Sequence, residues 1–158
     1  MGKFLGLAIV LILVDILVSG FLGFICHSYG KVYWDQFIIS QSAVLLESLF
    51  LLSVSLFFGV FCRPVLTTLF SLSFWFVGHG INDLHFFSEK SSNTFLKYFG
   101  LGISRFFPNL DYFNFKEAVV YGDAIPFINV ERTIVVWLAS IVILLICSIW
   151  IFQRRDFI

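Results

Sequence analysis

Two acidic side chains stand where acids are costly. Asp15 and Glu47 each sit near the middle of an apolar run. A lone carboxylate at the centre of a bilayer costs roughly 2.5–3.5 kcal/mol on insertion scales unless it finds a partner or takes a proton. Two functional chemistries fit such residues: a proton or cation relay, or the polar lining of a substrate path. The structural alternative, a protonated or hydrogen-bonded carboxyl that holds helices together, carries more weight, because no Lys or Arg lies inside the apolar runs as a partner. A second group, His79, Asp83 and His85, has the residue types of a metal site. On one continuous helix His79 and Asp83 would share a face while His85 would point elsewhere. Polar residues are also what the end of a span needs, so this group reads as a helix terminus and no metal is expected. Asp15, Glu47, His79 and Asp83 are the candidate intramembrane polar or path-lining residues.

No catalytic pattern accompanies them. There is no G-x-x-x-x-G-K-[ST], no G-x-S-x-G and no H-E-x-x-H, so neither a phosphate cradle, a nucleophile elbow nor a zinc helix is encoded by the usual spacings. Gly78 and Gly80 flank His79 at the end of an apolar run, where glycines signal a helix break. Cys26, Cys62 and Cys147 stand apart, without a C-x-x-C pair, and read as small buried hydrophobes. The expectation is a protein that is not an enzyme and holds no cofactor. Ten basic and ten acidic residues give zero net charge. The basic residues are scattered, so no nucleic-acid partner and no polybasic lipid patch is expected.

The elements that must position these side chains follow from composition. The chain is 59% hydrophobic, 20% aromatic and only 13% charged, against about 25% charged in soluble domains. An all-α integral membrane protein is expected, a single transmembrane domain over residues 1–158. About four spans are predicted, near 4–25, 37–61, 65–84 and 134–152. The first follows one lysine, Lys3, contains Asp15 and lacks a small-residue cleavage site, so it reads as a retained span and not as a signal peptide. Tyr33 and Trp34 suit an interface, and Pro64 suits the first turn of a helix. The third run spans only if 78–84, with its polar residues, continues it.

Residues 86–132 mix polar and aromatic side chains without a run long enough to cross. The near-helical recurrence of Phe95, Leu96, Phe99, Ile103, Phe106 and Phe107 predicts a helix lying along the interface. Asn114, three before Glu117, and Gly122 bound a second short helix, and Asn129 is expected to cap the last run. That run ends at Arg154 and Arg155. The positive-inside rule places them in the cytoplasm, and four crossings place the N-terminus there too, with 79–132 outside.

The order of local motifs resembles type-2 ABC exporter permeases, specifically their C-terminal four spans. Gly2-Lys3-Phe4-Leu5-Gly6-Leu7 resembles the G-K-x-x-G-L stretch entering the family's third span, and Phe61-Cys62-Arg63-Pro64 stands at its cytoplasmic turn between spans four and five. Gly78-His79-Gly80-Ile81-Asn82-Asp83-Leu84 resembles the end of its fifth span. Phe107-Pro108-Asn109-Leu110-Asp111-Tyr112-Phe113-Asn114 is similar to its F-P-N-x-x-x-F-N outer segment, and Ile151-Phe152-Gln153-Arg154-Arg155-Asp156-Phe157 to its aromatic-x-R-R-D-F ending.

The resemblance implies a cell-membrane permease subunit with part of a substrate path, driven by a separate ABC ATPase subunit. The family's first two spans and the coupling helix between them have no counterpart here, which implies a second permease chain or a missing N-terminal half as a further partner, beside the lipid bilayer. Two readings from other classes remain: a small proton-coupled transporter using Glu47 or Asp15, and a non-transporting assembly or scaffold subunit.

Overall fold

Apolar runs of this length have one low-energy solution in hydrocarbon, the helix, because it satisfies every backbone N–H and C=O within the segment. In a computed structural model, which describes residues 2–30, 33–90, 94–121 and 127–155, the regular structure is all helical. Helix α1 (Gly2–Tyr29), α2 (Trp34–Gly59) and α7 (Phe127–Arg155) have 28, 26 and 29 residues. At about 1.5 Å per residue each is at least about 39 Å long, more than the ~30 Å hydrocarbon core. These three are long and apolar enough to cross a membrane.

The expected third span is broken. Pro64 opens α3 (Pro64–His79) in its first turn, where no N–H is needed. The helix then stops at His79 and restarts as α4 (Ile81–Lys90), bent by 56°. Sixteen residues reach about 24 Å, too short alone; adding the ten of α4 at that bend gives about 32 Å. Counted as one span, the bent pair makes four crossing segments. Beyond it come α5 (Thr94–Phe106), a single 3-10 turn (Leu110–Phe113) and α6 (Lys116–Tyr121), where the spacing of the phenylalanines and the Asn114 signal had placed helices. The final helix begins earlier than its expected cap: α7 starts at Phe127, so Asn129 lies inside its first turn. Gly122, the expected stop after α6, lies outside the described residues.

Helix α2 is the hub and packs against α1, α3, α6, α7 and the 3-10 turn. Its stripe Ala43, Phe50 and Val54, spaced as one helix face, is buried with Leu110, Trp137 and Ile141. Phe50 meets Trp137 edge-on at 4.4 Å between centroids, and Phe74 links Phe50 to Phe107, a geometry in which aromatic pairs add attraction beyond area. Serine hydroxyls inside these apolar helices bond back to the carbonyl four residues earlier, as at Ser42, Ser48, Ser140 and Ser148. Ser55 instead donates across to Ser71 at 2.9 Å and ties α2 to α3.

Two glycines allow close approach. A Cβ on Gly78 would stand 2.5 Å from Leu110 Cδ1, so the fully buried Leu110 is seated on bare α3 backbone. Gly100 likewise lets α5 lie against Ser88 of α4.

Candidate functional site

Glu47 shares the buried face of α2, at helical spacing from Ala43 and Phe50. That face turns it toward α3, where Trp75 and His79 are four residues apart and therefore stacked on one side. Trp75 Nε1 donates to Glu47 Oε1 at 3.0 Å, and His79 Nε2 lies 2.8 Å from the same oxygen. The two rings meet edge-on at 5.0 Å, which fixes the imidazole plane. The acid that seemed to lack a partner thus has a donor in Trp75 and an imidazole nitrogen within hydrogen-bond reach.

The other ring nitrogen of His79 faces a second acid. Nδ1 lies 3.4 Å from Asp111 Oδ1. Asp111 is held there by an asparagine cap: Asn109 Oδ1 accepts from the Asp111 N–H at 2.9 Å and opens the 3-10 turn. Asn82, just past the bend, donates to Asp111 Oδ2 at 2.7 Å, and Asn109 donates to Asn82 at 2.7 Å. The result is a carboxylate–imidazole–carboxylate chain joining α2, α3 and the turn, with an asparagine pair closing its outer end. Side-chain exposure rises along it, from 15% at Glu47 to 28% at His79 and Asp111. Phe74, next to Trp75, lines an open apolar cleft of about 440 Å³ with Phe50, Phe107, Pro108 and Ile143.

The remaining candidates do not join this cluster. Asp83 is exposed on α4, across the bend from His79, so the two do not share a continuous helix face. His85 pairs with Glu89 at 3.9 Å on the same helix. Among the described residues no group of three or more His, Cys, Asp or Glu could hold a metal ion. Asp15 lies half-buried on α1, and the Ser19 hydroxyl bonds to its backbone carbonyl, not to its carboxyl.

Four cluster members were not singled out from sequence: Trp75, Asn82, Asn109 and Asp111. The usable signals were the Trp75/His79 spacing and the Asn109-x-Asp111 turn after Pro108. A buried acid demands donors, and the Trp75/His79 spacing puts two candidate ring donors on one face of α3. Scanned against family models, curated proteins and solved structures, the chain matches none.

Proposed function

We propose that the chain is the membrane-spanning permease subunit of an ABC transporter, or the C-terminal part of one. It forms part of a translocation path in the cell membrane, and a separate ATPase drives it. One observation carries the reading beyond the motif order. Two of the permease-like segments, 78–84 and 107–114, are seated on each other: Leu110 on Gly78, Asp111 against His79 and Asn82, Asn109 against Asn82. Motifs far apart in sequence that complement each other in space support one joint role, at the outer end of a bent span, better than two chance likenesses. In this reading both termini are cytoplasmic and 79–132 is external, with α5 along the interface.

ATP energy must then enter from outside the chain, which has no nucleotide-binding motif. Purification of the tagged chain from native membranes in mild detergent is expected to bring down a Walker-motif ATPase and a further membrane segment. A chain that elutes alone, or hydrolyses ATP by itself, refutes the reading.

The 2.8 Å approach of His79 to Glu47 favours a second reading, proton-coupled transport through Glu47. Uptake into liposomes driven by a pH gradient alone, and abolished by Glu47→Gln, would select it.

A further inference from the structure

We propose that Glu47, His79 and Asp111 form a site for one proton, and that the proton on His79 latches the outer segment onto α2 and α3. The case rests on donor counting. His79 Nε2 faces Glu47 Oε1 at 2.8 Å, and Nδ1 faces Asp111 Oδ1 at 3.4 Å. A neutral imidazole has one N–H, and an ionised carboxylate only accepts. With both acids ionised, only the imidazolium donates in both directions. The neutral ring sets a nitrogen lone pair against an oxygen lone pair on one side.

The two arms are unequal. Glu47 is the closer and less exposed partner, and Trp75 donates to the same oxygen. On losing its second proton His79 keeps the N–H toward Glu47, and the arm to Asp111 lets go. The 3-10 turn stays hung on Leu110 in the Gly78 seat and on Asn82. Deprotonation therefore loosens the turn without unfolding it.

Few other ionisable groups surround His79. Apart from His79, α3 carries no ionisable side chain. Helix α2 presents Glu47, with Asp35 in its first turn. The turn presents Asp111. On α4, Asp83, His85, Glu89 and Lys90 are exposed, and His85 is paired with Glu89. Helix α6, which packs on α2, carries Lys116 and Glu117. Imidazole is the side chain whose charge ordinarily changes near neutral pH. The latch is argued from the Glu47–His79–Asp111 distances and donor counting and does not depend on which transport reading holds.

The test needs no transport. Amide hydrogen exchange of the full chain in lipid nanodiscs, read at Asp111 and Asn114, whose N–H groups bond to Asn109 Oδ1 and the Asp111 carbonyl, is compared between about pH 5.5 and about pH 8. Rates are expressed as protection factors, so that the chemical pH dependence of exchange cancels. Protection is expected to fall about tenfold toward alkaline pH, the size of one charge-assisted hydrogen bond. His79→Gln and, separately, Asp111→Asn should flatten the profile, while His27→Gln/His85→Gln keeps it. Equal protection at both pH values in the unmodified chain overturns the proposal. So does a fall that persists in either His79→Gln or Asp111→Asn.

Discussion

Glu47 is tolerable in the middle of an apolar helix because Trp75 donates to it at 3.0 Å and an imidazole nitrogen of His79 lies 2.8 Å away. The dependence is mutual, since a buried N–H without an acceptor costs about 1–3 kcal/mol. Glu47→Leu is therefore expected to destabilise the detergent-solubilised chain by about that amount, through the stranded Trp75 donor and His79 ring and not through Glu47 itself. Glu47→Gln keeps an acceptor oxygen and should lose less. Asp15 makes the opposite case. Its neighbour Ser19 bonds to the backbone carbonyl, and among the described residues no side chain is recorded bonding to the Asp15 carboxyl. Asp15→Leu should leave stability unchanged or raise it by up to about 2 kcal/mol. Thermal unfolding of the three variants orders them, and an Asp15→Leu loss equal to that of Glu47→Leu would show that Asp15 has a partner of its own.

At the level of elements, the seat of Leu110 on Gly78 adjoins the bend between α3 and α4. A side chain at position 78 must collide with Leu110, whose Cδ1 and Cγ lie 2.5 and 2.6 Å from an added Cβ. Gly78→Ala is expected to cost about 1–3 kcal/mol by overpacking, and Leu110→Ala about 2–5 kcal/mol by leaving a cavity. The double variant should be less damaging than the sum, because each change makes room for the other. Additive losses in a double-mutant cycle would separate the two residues.

This coupling also explains what the sequence could and could not reveal. Apolar runs announced α1, α2 and α7, and phenylalanine spacing announced α5, because both signals are local. Gly78 and Gly80 signalled a break, yet neither the 56° of the bend nor the seat of Leu110 on Gly78 is written in the local sequence. Glu47 and His79 were each conspicuous alone, but they lie 32 positions apart, as do His79 and Asp111. No periodicity links residues across three elements. The displaced start of α7, at Phe127 and not after Asn129, is the ordinary uncertainty of helix ends.

For the whole molecule the open question is parity, and the bent pair decides it. If α3 and α4 together cross, four segments put both termini on one side; if the pair dips in and returns, three put them on opposite sides. Length favours crossing, since the pair reaches about 32 Å across its bend, close to the ~30 Å core. Polarity agrees: Asn82, Asp83 and His85 are exposed beyond the bend, where headgroups and water can solvate them. Charge does not separate the two topologies: with four crossings Lys3, Arg63 and the Arg154-Arg155 pair share one face, but the five Lys/Arg of 79–132 fall on the other. The Arg154 guanidinium also lies 3.9 Å over the Trp150 ring, an aromatic and basic anchor at the end of α7. Single cysteines introduced at Lys3, Asn93 and Gln153 in a chain cleared of its own three cysteines can be probed with a membrane-impermeant maleimide on intact cells. Only Asn93→Cys is expected to react before lysis, with Lys3→Cys and Gln153→Cys reacting after it. Reaction of Gln153→Cys before lysis, with Lys3→Cys still protected, would mean three crossings and a re-entrant α3–α4, and would place the Glu47–His79–Asp111 chain at a different depth from the one argued above.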